Sequence, residues 1–375
     1  MRICILGGYG NTGRLIAQKL LQHSDAEILI AGRDIARARE MTEELQWDHP
    51  GKSISPLRMD AADYESLLRG LNGTDWLVVA SSTAIYTGTI ARAALDTESD
   101  YYDLQYSLEK LEVLAGMEEE IRQRGRCFIT DGGFHPGLPG AMIRYAASNV
   151  RDLHRALVGS VIQIEWRQYG FSGATVEEMV RELSAFLSLE YRDGDWRRVS
   201  WLKPRRFDFH GEFGVQPTFP MMLEELRSLP EQIPTLRHAG FYVGGFNWFV
   251  DYLFMPVLWL LLKIRPQGWT KPMGRLLEWG LKSFSSPPYG TRLQLEASGR
   301  GENYRLRIAH QDGYLLTAIP VVACLLQIMQ DSIRTPGLWY QAQIVDPDRL
   351  IEDMEEMGIR VERRHHRQEQ QKEVL

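Results

Sequence analysis

Gly8-Tyr9-Gly10-Asn11-Thr12-Gly13 follows the spacing G-x-G-x-x-G, and its chemistry is the holding of a diphosphate. The loop comes directly after a short apolar run, Arg2 to Leu6. It is followed by Leu15, Ile16, Leu20 and Leu21 at helical spacing. In that setting Gly8 makes the tight turn, Gly10 lets the backbone approach a pyrophosphate, and Gly13 lets the helix pack on the strand. The helix start then offers free amides and the positive end of its dipole to the phosphates. Tyr9, Asn11 and Thr12 complete the candidate cofactor contacts.

A second signal lies in Ala31-Gly32-Arg33-Asp34, after the next strand-like run. A binder of NAD places a carboxylate near this point for the ribose 2′-OH. Arg33 offers instead a cationic fork suited to a 2′-phosphate, and Arg37 or Arg39 can assist it. Asp34 is adjacent and would repel that phosphate. The balance favours NADP over NAD. Asp60 follows a third strand and either approaches the adenine or serves a turn or cap. Ser81 and Ser82 end a fourth strand, where small residues let a cofactor cross the carboxyl edge of a sheet.

Hydride chemistry also needs a group that manages a proton. His135, in the loop Gly132 to Gly140, is the first candidate. Tyr102 and Asp103, after a strand end, are the second, and Asp131 is a third or a loop cap. His135 can equally be a structural histidine bonded to its loop. Glu165 and Arg167 lie two apart on an expected strand, Val158 to Trp166, and so share one face. Turned inward, Arg167 could clamp a substrate carboxylate; turned outward, both are solvated. Residues 169–175 read as a flexible loop, a candidate lid.

The elements that must position these groups alternate. Strands are expected near Arg2–Leu6, Ile28–Ala31, Ser55–Met59, Trp76–Ala80, Tyr101–Leu104 and Cys127–Thr130, with helices between them, including one continuous helix from Leu108 to Arg124. This is an α/β pattern, a parallel sheet with helices on both faces. After Leu157 longer strands appear, Arg205 to Phe213 and Tyr304 to His310 among them. They indicate a second α+β domain with a mixed or antiparallel sheet. The boundaries expected are 1–131 for the dinucleotide-binding domain and 132–312 for the second domain. Helices in 313–360 return to the first domain, and 361–375 form a flexible tail.

Residues 239–262 carry one charge, Asp251, among many aromatic and leucine side chains. Plain core, an apolar ligand tunnel, peripheral membrane or lipid contact and a bilayer span all remain open. The chain has 375 residues and a formal net charge of -6, which argues against a nucleic-acid partner. Cys4, Cys127 and Cys324 are far apart and lack metal-ligand or disulfide spacing, so no metal site is expected. No signal-peptide pattern follows Arg2, so a cytoplasmic location is expected, with membrane association through 239–262 as the alternative. A small-molecule substrate is expected, and the long apolar elements point to a homodimer.

The chain resembles the saccharopine dehydrogenase family in Ile5-Leu6-Gly7-Gly8-Tyr9-Gly10-Asn11-Thr12-Gly13, Ala31-Gly32-Arg33 and Tyr101-Tyr102-Asp103-Leu104. The likeness continues in Gly133-Phe134-His135-Pro136-Gly137-Leu138-Pro139, Gly313 to Ala318 and Val345 to Asp348. The resemblance implies a Rossmann domain joined to a second domain with a mixed sheet. It also implies NADP chemistry on a carbon–nitrogen bond of an amino-acid-like substrate. Saccharopine-acting members carry Asp-Pro-Gly where this chain has His135-Pro136-Gly137, so the group beside the substrate differs. Two alternatives stand beside this reading: an NADP-dependent reductase of an apolar or lipid-like double bond, and a non-enzymatic dinucleotide sensor or scaffold.

Overall fold

The structure, a computed structural model, describes residues 1–168, 173–184, 187–200, 203–264 and 269–367. The chain forms two compact units. One comprises Met1–Leu138 with Tyr314–Met357, the other Pro139–Gly313 with Gly358–Leu375.

The first unit begins β1 (Arg2–Leu6), α1 (Asn11–His23), β2 (Glu27–Gly32), α2 (Ile35–Asp48), β3 (Ile54–Arg58), α3 (Tyr64–Leu71) and β4 (Trp76–Val79). It continues with α4 (Thr87–Asp96), β5 (Asp100–Asp103), α5 (Leu108–Ala115), α6 (Glu118–Gln123) and β6 (Cys127–Thr130). The expected helix Leu108 to Arg124 is therefore two helices. Gly116 caps the first, and its amide bonds back to Glu112. Ile3–Leu6 and Trp76–Val79 are buried without alternation, as strands covered on both faces must be.

The second unit holds α7 (Leu138–Asn149), β7 (Arg155–Gln163), α8 (Gly173–Ser184), β8 (Leu189–Arg192), β9 (Asp195–Arg198), β10 (Arg205–Asp208) and β11 (Val215–Met221). There follow α9 (Leu229–Gln232), β12 (His238–Gly244), α10 (Met255–Ile264), α11 (Thr270–Phe284), β13 (Gly290–Gly299) and β14 (Glu302–His310). The chain then runs through α12 (Gly313–Met329), β15 (Gly337–Tyr340), α13 (Gln341–Ile344), α14 (Pro347–Glu356) and β16 (Arg360–Arg367).

The first sheet has seven strands in the order β15-β6-β5-β4-β1-β2-β3, every pair parallel. The order reverses between β1 and β4. In an open parallel sheet that switch point is where a crevice opens beyond the carboxyl ends of the strands. This is the Rossmann-type arrangement expected from the sequence. The edge strand β15 had no counterpart in the sequence reading.

The second sheet is mixed, with the path β10-β11-β12-β7-β13-β14-β16 and with β8 and β9 attached beside β12. Only β12 and β7 pair in parallel. The free tail expected from 361 is corrected here. Residues 361–367 continue β16, which pairs with β14 from Arg360 through Arg367. Backbone pairing overrides the charged composition of that segment, because charged side chains on an edge strand can stay in water.

Residues 239–262 do not form one element. Ala239–Gly244 belong to the buried central strand β12, and the chain restarts as a π-helical turn, Val250–Phe254, leading into α10. Among the described residues no helix is long and apolar enough to cross a membrane.

Candidate dinucleotide site

The loop between β1 and α1 is shaped by three close approaches. Gly7 takes a positive φ of 88° and makes the turn assigned above to Gly8. A Cβ on Gly8 would lie 2.9 Å from the Ile5 carbonyl oxygen, and one on Gly13 only 2.3 Å from that of Gly7. These two glycines let α1 pack down onto β1. Gly10 is different, because a Cβ there would meet one atom within 4 Å, the Gly7 oxygen at 3.1 Å. The fold does not itself need the open space over Gly10. Gly10 is also the N-cap of α1, and no side chain caps that helix end. Its first amides and dipole are directed at that space, which suits a diphosphate.

The ends of β1 and β4 touch at the switch point. A Cβ on Gly7 would come 2.8 Å from that of Ser81. Ser81 is half-buried with its hydroxyl 3.1 Å from that of Thr83, and Ser82 is exposed. Ser81 thus lies beside the glycine loop.

At the end of β2 the carboxylate of Asp34 turns away from a ribose. It accepts from the amides of Ala36 at 3.0 Å and Arg37 at 3.2 Å, capping α2. The Tyr9 hydroxyl accepts from the Asp34 amide at 3.2 Å, and its ring carries the Arg37 guanidinium 4.7 Å from its centroid. Tyr9 fits against Gly32, where a Cβ would fall 2.4 Å from the ring. Arg33 and Arg37 are exposed. The anion that could oppose a 2′-phosphate is spent on a helix cap, and two cations stand at the same corner.

Asp60 takes the turn role, accepting from the Ala62 amide at 3.1 Å. It also lines a cavity of about 400 Å³ with Arg58, Asp63 and Arg69.

The residues after β5 and β6 form a buried polar cluster rather than an exposed acid–base pair. The Lys110 ammonium sits 2.6 Å from Asp103 and 2.7 Å from Asp131, and all three side chains are fully buried. Lys110 also donates to the Gln105 carbonyl, and the Thr130 hydroxyl donates to Asp103 at 2.9 Å. Burial alone would lower the Lys110 pKa, but the two carboxylates outweigh it and raise it. Tyr102 is fully buried as well and donates to Gln341. Gln341 in turn accepts from the Gly133 amide at 3.0 Å and donates to the Gly133 carbonyl at 3.3 Å. The second-ranked candidates, Asp103 and Tyr102, are corrected accordingly. Both side chains are fully buried, and each helps to fix the loop that carries His135.

His135 is half-buried, meets the Phe134 ring edge-on at 4.1 Å, and precedes a cis peptide bond to Pro136. Removal from water pushes its imidazole down to about 3, so the ring is neutral at physiological pH.

Glu165 and Arg167 do not lie on a strand. β7 ends at Gln163, and Trp166–Gln168 form a single 3₁₀ turn. Arg167 donates to the carbonyls of Lys282 at 2.7 Å and Ser283 at 3.3 Å, at the end of α11, and Glu165 accepts from Gln168. The carboxylate clamp is therefore corrected, because the guanidinium is committed to a helix end. Of the expected lid, residues 169–172 lie outside the described residues, and Gly173 to Thr175 open α8.

Two site residues escaped the sequence reading, Lys110 and Gln341. Lys110 could have been found, since it stands four positions before Leu114, on the apolar face of its helix. Gln341 carries no comparable signal.

Comparison with known proteins agrees with this geometry. Residues 3–127 match the family described as the saccharopine dehydrogenase NADP binding domain. The chain is 23% identical over 263 residues to carboxyaminopropylagmatine dehydrogenase of Synechocystis sp., covering 66% of this chain and 63% of that protein. The match thus spans less than two thirds of the relative's length. The fold is shared with the apo saccharopine dehydrogenase (L-Glu forming) of Saccharomyces cerevisiae, with a TM-score of 0.67 and 16% identity over 97% of this chain and 99% of that one.

Proposed function

Because residues 3–127 belong to the saccharopine dehydrogenase NADP-binding domain family, we propose that the whole chain is an NADP-dependent oxidoreductase. It moves a hydride to or from a carbon–nitrogen bond of an amino-acid-like substrate. The observation that carries the cofactor half is the corner where Asp34 caps α2 while Arg33 and Arg37 stand exposed beside an uncapped α1. The substrate half is supported by the relative named for carboxyaminopropylagmatine, a name that denotes an amine bearing a carboxyl group.

NADP(H), when bound, supplies or accepts the hydride. The chain's own residues hold and orient it. The amides of Asn11, Thr12 and Gly13 receive the diphosphate, Arg33 and Arg37 the 2′-phosphate, and Ser81 and Ser82 leave room at the sheet edge. Asp60 stands where the adenine would approach. His135, held neutral, serves as a hydrogen-bonding and orienting group rather than as a proton exchanger near pH 7. Incubating the full chain with NADPH, an α-keto acid and a primary amine tests the reading. It predicts NADPH oxidation only when both partners of the imine are present, and no oxidation with any keto acid and amine pair contradicts it.

An apolar substrate drawn from a lipid surface is the second reading, and one observation favours it. Trp248, Tyr252, Leu253 and Leu260 of the segment leading through α10 are each about half exposed, at 54%, 53%, 48% and 60%. Exposed apolar side chains gathered in one segment of the chain suit an apolar partner. Turnover of an enal carried in detergent micelles, with none on imines, would select this reading over the first.

A further inference from the structure

We propose that the outer strands of the second sheet, β13, β14 and β16, carry a binding site for a multivalent oxyanion, built from the arginines at positions 292, 305, 307, 360 and 364. The register of the ladders places these residues together. Arg292 pairs with Ala309 and Ala309 with Arg360, so two arginines flank a single methyl group across three neighbouring strands. One step along, Gln294, Arg307 and Glu362 form the next row, and Glu296, Arg305 and Arg364 the third. Side chains two apart on a strand share a face, so all three rows point to the same side. Leu293, Leu295, Leu306 and Ile308, at the intervening positions, are buried on the other side, where Arg363 meets Tyr145 of α7.

This face is preorganised and undercompensated. Arg307 is more than nine-tenths buried and is fixed by Glu362 at 2.6 Å and by Gln294 at 3.0 Å. Glu362 is shared, since Arg360 reaches it at 2.5 Å. Among the described residues no ion pair joins Arg292 to a carboxylate, and Glu362 and Glu212 act on it only as neighbouring charges. Arg292 donates to the carbonyls of Phe209 and His210, both at 2.9 Å, and stacks on Phe213 at 4.1 Å. Arg305 reaches the His210 ring at 3.2 Å, and that ring bonds Asp208 through its other nitrogen at 2.7 Å. Glu296 faces Arg155 at 3.8 Å. No carboxylate among the described residues pairs with Arg364. Arg305 and Arg364 stand directly opposite each other, an arrangement that costs stability when nothing neutralises it.

Between His210, Arg292, Arg307, Arg360 and Arg364 lies a cavity of about 400 Å³, which is small-metabolite size; Glu362, already paired with Arg307 and Arg360, is the one carboxylate among its lining residues. A second cavity of about 230 Å³ shares Arg364 with it and is lined also by Arg305, Arg155 and Glu296. Burial, and then neighbouring positive charge, lowers the pKa of Arg292 and of Arg307. For Arg292 those charges are Arg307 and Arg360. Planar guanidinium forks bind phosphate or carboxylate oxygens in pairs, which sets the ligand class. Nothing in this site depends on the reaction proposed above.

Isothermal titration calorimetry on the full chain tests the site, with NADPH saturating so that the glycine loop is filled. Inorganic pyrophosphate and citrate are titrated separately against sodium chloride of matched ionic strength. The expected result is saturable binding of at least one of them, weakened tenfold or more in Arg292→Gln/Arg364→Gln with NADPH affinity unchanged. Pyrophosphate binding alone assigns a phosphate-bearing ligand, and citrate binding alone a polycarboxylate. Should the double variant fail to fold, Arg364→Gln alone, at an exposed position, should still weaken binding severalfold. Binding of neither anion above the chloride reference overturns the proposal, and so does undiminished binding by a folded variant.

Discussion

The buried hydroxyl of Tyr102 donates to the side-chain carbonyl of Gln341, 239 positions further along the chain. Through Gln341 the last strand region of the first unit grips Gly133, two residues before His135. Tyr102→Phe removes one buried bond and leaves Gln341 tied to Gly133. It should cost about 1 kcal/mol of stability and leave NADPH affinity unchanged, as read by denaturant unfolding and cofactor titration.

Lys110 neutralises two buried carboxylates, so its removal strands two charges. Lys110→Met should cost about 3–5 kcal/mol or prevent folding. Adding Asp103→Asn and Asp131→Asn to it should recover much of that loss. If the triple variant is no more stable in urea than the single one, the cluster is not held by charge.

Much of the first unit was legible before its structure. The apolar runs at β1 and β4 are continuous, and the glycine spacing has few other uses between a strand and a helix, so element order and cofactor loop followed from local pattern. What failed was non-local. Tyr102 and Asp103 stand at a strand end, where substrate contacts are expected, and only the fold shows Gln341 and Lys110 closing over them. Arg167 kept its charge but not its strand, because the end of β7 is set by register with β13 rather than by its own alternation. The tail from 361 is polar enough to read as free, and only its partner β14 makes it a strand. Asp34, read as a doubt about NADP, became support for it once its cap was visible.

Asp251 sits in the apolar stretch before α10, and burial pushes its carboxyl up to about 7, against a weaker opposing hydrogen bond from the Gly245 backbone. A folded pKa above the unfolded value, about 4, means that the folded state binds the extra proton. The penalty for ionising this group is absent below about pH 4, grows as pH rises through 7 and is complete above it. Asp251→Asn has no such penalty. It should stabilise the protein by roughly 4 kcal/mol at pH 8 and by little at pH 4, read from thermal unfolding at both. An equal gain at both pH values would show that ionisation plays no part.

The glycines of the loop separate packing from binding. Gly13→Ala brings a methyl within 2.3 Å of the Gly7 oxygen and should destabilise the first unit by about 2 kcal/mol or more. Gly10→Ala meets one backbone oxygen at 3.1 Å and should lower the melting temperature less than Gly13→Ala does, while losing tenfold or more in NADPH affinity. Melting and binding curves on the two variants should therefore move in opposite order.

Arg33 stands exposed at the end of β2 while the Asp34 carboxylate caps α2, the arrangement proposed above to recognise a 2′-phosphate. Titration of NADPH and NADH into the unmodified chain and into Arg33→Ala tests it most directly. Tighter NADPH binding is predicted in the unmodified chain. The variant should lose about 1.5–3 kcal/mol for NADPH, tenfold or more, with NADH unmoved. Equal affinity of the unmodified chain for the two cofactors would contradict it.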